Sequence, residues 1–237
     1  MKKTISVLLA LTLCLALMAG CGAKPAPAPA ETPEPAGEEP APGAPLLGGW
    51  TAAESWELSG ETRAAFEKAA EGLLGVSYEP LACLGSQVVA GTNRAILCEA
   101  KAVAPDARPY YALVTLYEKT NGTAEILDIQ TVTPNGEFDE NAGSAAPLAG
   151  GWSVPEADDE GFAALEKAVE GLLGVGYMPV RVLGEQVVSG MNYCVLCQAR
   201  VVAPDAAPYY CLVYVYKDLN GGASVTDVAE LTAQGTR

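Results

Sequence analysis

The sequence lacks histidine altogether and has few basic residues. None of the 237 residues is histidine, and 14 Lys and Arg stand against 29 Asp and Glu, which gives a net charge of −15. The absence of histidine excludes Ser-His and Cys-His catalytic pairs and every metal site with an imidazole ligand. The shortage of basic residues argues against nucleic-acid binding, which depends on clustered Lys and Arg. We therefore expect a protein that is not an enzyme and that uses neither a metal nor a cofactor.

The first 20 residues have the pattern of an export signal. Lys2 and Lys3 precede an apolar run, Ile5–Met18, that is too short for an ordinary membrane span. The following Leu17-Met18-Ala19-Gly20-Cys21 resembles the lipobox of bacterial lipoproteins. The resemblance implies that residues 1–20 are a signal peptide and that a lipid on Cys21 anchors the protein to the extracytoplasmic face of the cell membrane. An ordinary secretory signal with an incidental cysteine is the alternative.

Residues 21–45 are rich in proline, alanine and glutamate and show no apolar periodicity. Such a composition does not supply the apolar area that a packed core needs. Its prolines favour an extended spacer with a reach of roughly 70 Å. We interpret this segment as a disordered tether that holds the rest of the protein away from the membrane.

The remainder of the chain is an internal duplication. Glu67–Val76 recurs as Glu166–Val175, an offset of 99 residues, and the same offset relates Val103–Asp106 to Val202–Asp205. A repeat on this scale predicts two copies of one structural unit. We therefore expect two tandem domains, at residues 46–132 and 147–237, joined by a linker at residues 133–146.

Each repeat has one helical pattern followed by strand patterns. Apolar residues recur at helical spacing in both repeats: Phe66, Ala69, Ala70, Leu73 and Leu74, then Phe162, Leu165, Val169, Leu172 and Leu173. Gly75 and Gly174 are expected to end these helices. In the first repeat, strand-type runs follow at Tyr78–Leu84, Ala95–Val103, Tyr110–Tyr117 and Glu125–Val132. The predicted fold class is α+β, with one helix packed across a curved antiparallel sheet of four to five strands in each domain.

Two segments in each repeat resemble the inhibitory elements of the cystatin family. Gln87-Val88-Val89-Ala90-Gly91 and Gln186-Val187-Val188-Ser189-Gly190 match the Gln-x-Val-x-Gly pattern of the first cystatin hairpin. Pro45-Leu46-Leu47-Gly48-Gly49 and Pro147-Leu148-Ala149-Gly150-Gly151 resemble the N-terminal trunk. The resemblance implies two cystatin-like domains that inhibit papain-like cysteine proteases reversibly, as a wedge that plugs the protease cleft.

The resemblance also implies a role for each element. Trunk glycines let the backbone pass close to a catalytic thiol, and the hairpin valines bury apolar area. The expected protease-binding residues are Leu46, Leu47, Gly48, Gly49, Gln87, Val88, Val89, Ala90 and Gly91 in the first repeat, and Gly150, Gly151, Gln186, Val187, Val188, Ser189 and Gly190 in the second.

The second cystatin hairpin is altered in both repeats. That family usually has Pro-Trp or an equivalent there, whereas Lys119–Thr123 and Lys217–Gly222 contain neither residue, and Leu219 is only a weak substitute. An apolar anchor is therefore missing, and interface energy concentrates in such anchors. A non-inhibitory cystatin-like module that binds a protein, peptide or glycan at the cell surface is the alternative function, and a structural spacer is a third. We expect a monomer.

Five cysteines follow Cys21, and the sequence leaves their state open. Strand alternation places Cys98, Cys197 and Cys211 on the face under the helix. Disulfides Cys83–Cys98 and Cys197–Cys211 are one possibility, and small buried apolar thiols are the other. The Cys194-x-x-Cys197 spacing falls inside a strand, which argues against a redox or zinc motif. The odd number leaves one thiol over, which we assign to Cys194 on the outer face.

Overall fold

The computed structural model describes residues 49–134, 150–233 and 235–236. Several predicted features lie outside the described residues: the predicted signal, Cys21, the predicted tether, Leu46, Leu47 and Gly48 of the first trunk, positions 135–146 of the expected linker and positions 147–149 of the second trunk. Among the described residues, neither helix combines the length and the hydropathy needed to cross a membrane.

The elements follow the same order in both repeats. The first repeat contains β1 Trp50–Ala52, α1 Gly60–Ala70, β2 Val76–Val89, β3 Gly91–Ala102, β4 Pro109–Lys119 and β5 Ala124–Val132. The second contains α2 Asp159–Val169, β6 Val175–Val188, β7 Gly190–Val201, β8 Tyr209–Lys217, β9 Ala223–Thr232 and β10 Gly235–Thr236. Neighbouring strands pair antiparallel in the orders β1-β2-β3-β4-β5 and β10-β9-β8-β7-β6.

The α+β class predicted from the sequence was wrong. The described residues form mainly antiparallel β structure and not two tandem helix-on-sheet domains. Both repeats belong to one compact unit. The strands are also longer than expected, since β2 continues to Val89, where the sequence pattern predicted an end at Leu84. The fold class differs from the prediction because each sheet has two apolar faces and the helix covers only one of them.

The second apolar face of each sheet packs against the other repeat. On β3, Ala95 and Leu97 belong to a core shared by both sheets, while Ile96 and Cys98 belong to the cluster under α1. We call the shared cluster the inter-sheet core; its buried members are Ala82, Leu84, Ala95, Leu97, Tyr111, Leu113 and Val132 from the first repeat, with Leu183, Cys194, Leu196, Tyr210, Leu212 and Leu231 from the second. Packing sheet on sheet removes from water a face that a separate domain would expose.

The helices cover the opposite faces and are shorter than predicted. Phe66 of α1 and Leu165 of α2 are buried against their own sheets. The helices end at Ala70 and Val169, and beyond them Leu74 and Leu173 are 94% and 95% exposed. The prediction that these leucines extend the buried helix face was therefore wrong, as was the assignment of Gly75 and Gly174 as helix ends. Gly72 and Gly171 follow the last helical turns closely, and glycine disfavours continuation of a helix.

The five cysteines after Cys21 are free thiols, and all are buried. Cys98, Cys197 and Cys211 lie in the clusters under the helices, which confirms the strand alternation. Cys194 is not an exposed leftover thiol, because it lies in the inter-sheet core. Burial there raises the pKa of Cys194 to about 12.

Candidate functional site

The trunk and the hairpin predicted from the sequence lie side by side in each repeat. β1 pairs with the end of β2, and Trp50, which follows Gly49, stands opposite Gln87. In the second repeat Ser153 bridges to Glu185, and Gln186 Nε2 donates a hydrogen bond to the carbonyl oxygen of Gly150 at 2.7 Å. The described part of each trunk therefore adjoins the glutamine of its own hairpin.

Each hairpin turns through a single residue. Ala90 connects β2 to β3, and Ser189 connects β6 to β7. Gly91 and Gly190 follow with φ angles of 150° and 132°, a region that L side chains rarely adopt. A Cβ atom on Gly91 would also collide with the carbonyl oxygen of Glu118. The glycine of the Gln-x-Val-x-Gly pattern is thus required by the hairpin itself.

A tyrosine from the next strand holds each hairpin tip. Tyr117 Oη donates to the carbonyl oxygen of Ala90 at 2.8 Å, and Tyr216 Oη donates to that of Ser189 at 2.6 Å. These tyrosines were missed in the sequence analysis. The sequence could have indicated them, because each tyrosine lies two or three residues before the turn that follows its strand.

The glutamine of each hairpin pairs with an asparagine across the strands. Asn93 Nδ2 donates to Gln87 Oε1 at 2.7 Å, and Asn192 Nδ2 donates to Gln186 Oε1 at 2.8 Å. Both pairs are directly opposite in the strand register. These bonds fix the hairpin shape, so the glutamine has a structural role whatever the edge binds.

The turn that corresponds to the second hairpin lies next to the first. Gly91 stands opposite Lys119, where the first such turn begins, and Met191 stands opposite Lys217 in the second repeat. We call the trunk end, the hairpin tip and this turn of each repeat its binding edge. Leu219, in the turn of the second edge, is largely exposed.

The valines are the exposed apolar groups that both hairpins share. Val88 and Val89 are each 42% exposed, and Val187 and Val188 are 68% and 43% exposed. Adjacent residues on a strand point to opposite faces, so each pair presents apolar surface on both sides of its hairpin. A partner with a cleft can bury such a projecting pair from two sides.

The electrostatic surroundings of the two edges differ. Beside the first edge, Arg94 Nε forms an ion pair with Glu118 at 2.7 Å. The equivalent of Arg94 is Tyr193, whose hydroxyl donates to Glu160 at 3.1 Å. Burial raises the pKa of Tyr193 to about 12, and the hydrogen bond from Tyr193 lowers the pKa of Glu160.

The first edge adjoins the second repeat. A cleft of about 410 Å³ is lined by Trp50 and Gln87 from the first edge and by Tyr209 and Leu231 from the second repeat. Tyr209 begins β8 opposite Ala199, at the end of the second sheet that is remote from the hairpin tip at Ser189. The two binding edges therefore do not merge into one surface.

Within the described ranges, no group of three or more His, Cys, Asp or Glu side chains is placed to hold a metal ion. The arrangement at the two edges offers apolar and hydrogen-bonding surface for a partner. No protein-family model and no curated protein sequence matches this chain. The likeness to cystatins thus stays a prediction from the trunk and hairpin patterns.

Proposed function

We propose that the protein binds papain-like cysteine proteases reversibly through its two binding edges and thereby inhibits them. The observation that supports this most is the exposed valine pair beside a glycine-containing trunk, present at both edges. In this proposal the protein is held at the outer face of the cell membrane by a lipid on Cys21.

Shape and preorganisation favour such binding. Full burial of one valine side chain contributes about 1.5–3 kcal/mol before the costs of association are subtracted. The hydrogen bond from Tyr117 and the Gln87–Asn93 pair hold the first tip in one conformation, so little entropy is lost on binding. Occupation of the protease cleft needs no reaction of the catalytic thiol, which makes the inhibition reversible.

A second candidate is a non-inhibitory binding module at the cell surface. It is favoured by the internal roles of Gln87 and Gly91, since both residues are needed for the shape of the hairpin itself. The absence of an aromatic residue from the turn at Lys119–Thr123 points the same way.

The test is inhibition of papain and of a cathepsin by residues 45–237. One variant combines Val88→Asp with Val89→Asp, and another combines Val187→Asp with Val188→Asp. Glycine substitutions are avoided because they disturb the hairpin. The matched controls are Val103→Asp and Val202→Asp, since these valines are 77% exposed but lie outside both edges.

We expect reversible inhibition that at least one edge variant weakens by tenfold or more, while both controls inhibit as the unmodified protein does. The variant that loses inhibition identifies the active edge. No inhibition at high micromolar concentration by a protein that circular dichroism shows to be folded would refute the inhibitor and leave the non-inhibitory module.

A further inference from the structure

The inner faces of the two repeats meet through reciprocal contacts. Tyr111 Oη donates to the carbonyl oxygen of Val182 at 3.3 Å, and Tyr210 Oη donates to that of Cys83 at 3.5 Å. Tyr210 and Val182 stand 99 residues after Tyr111 and Cys83. Each repeat therefore makes the same tyrosine-to-carbonyl hydrogen bond to the other repeat. Reciprocity of this kind is the property of a twofold interface between like subunits.

The charged contacts around these tyrosines are not reciprocal. Arg181 donates to Glu99 at 3.3 Å, to Asp158 at 3.0 Å and to Tyr111 Oη at 3.2 Å. The residue equivalent to Arg181 in the first repeat is Ala82. The ion pair that Arg181 makes with Glu99 across the interface therefore has no counterpart at the equivalent position of the first repeat.

At the position equivalent to Glu99, a neutral side chain donates to the backbone of the first repeat. Gln198, the equivalent of Glu99, is buried and donates to the carbonyl oxygens of Ala53 and Glu54 at 3.1 and 3.2 Å. Arg200 adds an ion pair with the Glu54 carboxylate at 2.8 Å. Ala53 and Glu54, which follow β1, thus accept hydrogen bonds from side chains of the second repeat.

These differences make like-with-like pairing unfavourable. Two first repeats would bring Ala82 opposite Glu99, and the Glu99 carboxylate would lose its guanidinium partner. Two second repeats would bring Arg181 opposite Gln198, and the cross-repeat ion pair would again be lost. Loss of charged partners in the wrong pairing is how interfaces acquire specificity.

The connection between the repeats starts and finishes at one place. A Cβ atom on Gly184 would meet Pro134 at 2.5 Å and Trp152 at 3.1 Å. Pro134 is the last residue described before the connecting segment, and Trp152 lies just after it. The described residues on either side of this segment therefore lie together against β6.

We propose that the inner face of the first repeat is a binding surface for the second repeat, selective against another first repeat, that holds its partner without a covalent connection. The chain is then a dimer of repeats within one polypeptide. The same surface accepts the second repeat of another copy of the chain once the connection is cut. This proposal does not depend on the proposed protease inhibition.

The experiment uses the full chain with a site-specific protease sequence inserted between residues 135 and 149. The chain is cleaved under native conditions and examined at micromolar concentration by analytical ultracentrifugation and native mass spectrometry. We expect one particle with the mass of the uncut protein, containing one fragment of each kind. Separate fragments, or pairs of identical fragments in equal abundance, would overturn the proposal.

Variants test the basis of the selectivity. Glu99→Gln removes the carboxylate that Arg181 contacts and introduces the residue found at position 198; we expect the cut fragments to associate about fivefold more weakly. Tyr111→Phe with Tyr210→Phe should weaken them about tenfold. Glu79→Gln is the matched control, because it makes the same carboxylate-to-amide change in an exposed ion pair, with Arg63, that lies within one repeat. Equal fragment affinities for Glu99→Gln and the control would refute the role of the ion pair.

Discussion

At the scale of single residues, some residues of each hairpin maintain its shape and others are exposed to solvent. Gln87 pairs with Asn93, and Gly91 meets the steric demand of the turn. Val88 and Val89 project into solvent. The sequence pattern alone does not separate these roles, because a residue needed for the hairpin and one needed for a partner look the same in it.

Replacing Gly91 by alanine tests the structural role of the glycine. The φ of 150° and the nearby carbonyl oxygen of Glu118 make any side chain unfavourable, so we expect a loss of about 1–3 kcal/mol in the free energy of unfolding. Urea denaturation measures it. Gly60→Ala in α1 is the control, with open space around its Cβ, and we expect it to be neutral or slightly stabilising. Equal stability of the two variants would contradict the argument.

Alkaline pH tests the buried tyrosines. Burial raises the pKa of Tyr210 from 10.0 to about 12. The unfolded chain therefore loses this proton at lower pH than the folded protein, and stability present below about pH 10 falls as the pH rises toward 12. Urea denaturation at a series of pH values should show the decline, and it should be smaller in Tyr210→Phe. An identical pH dependence in the variant would contradict this assignment.

At the scale of elements, the two helices begin differently. Ser59 Oγ accepts a hydrogen bond from the backbone N–H of Thr62 at 3.1 Å and caps α1. The equivalent residue Asp158 makes no such bond at α2, and its carboxylate accepts from Arg181 and from the backbone N–H of Val182. The second cap position thus bonds to β6 of its own repeat and holds Arg181, whose guanidinium contacts Glu99 of the first repeat.

Ser59→Ala tests the cap of α1. The loss of one hydrogen bond to the first turn should lower the free energy of unfolding by about 1 kcal/mol, measured by thermal or urea denaturation. Ser55→Ala is the control, since Ser55 accepts a hydrogen bond from Glu57 in an exposed segment outside the helix. A loss as large in Ser55→Ala would show that the cap is not the cause.

Strand positions could be predicted from the sequence better than helix ends. Alternation assigned Cys98 and Cys197 to the face under the helix, as the structure has them. The apolar pattern carried the helices past Ala70 to Leu74, where the leucine is exposed. Periodicity records which residues share a face, but it contains no information on where the backbone leaves the helix.

At the scale of the whole molecule, the two repeats share one core. Alternation identifies Ala95 and Leu97 as residues of one face, but not what covers that face. The sequence analysis treated that face as an outer one, which is why Cys194 was placed at the surface. The partner that covers it is the second repeat, a long-range contact that no local pattern describes.

A substitution in one repeat should therefore destabilise the other. Leu97→Ala removes a fully buried side chain from the inter-sheet core, with an expected loss of about 2–5 kcal/mol. In a background with Trp50→Phe and Trp56→Phe, the remaining tryptophan is Trp152, which packs against Tyr214 of the second repeat. We expect its unfolding midpoint to fall together with the midpoint measured by circular dichroism. An unchanged Trp152 transition would mean that the repeats unfold independently.

The most direct test of the proposed function is titration of papain with residues 45–237 of the protein. The account predicts reversible inhibition that is relieved on dilution and that depends on the valines of at least one binding edge. Full papain activity in the presence of a large excess of folded protein would contradict it.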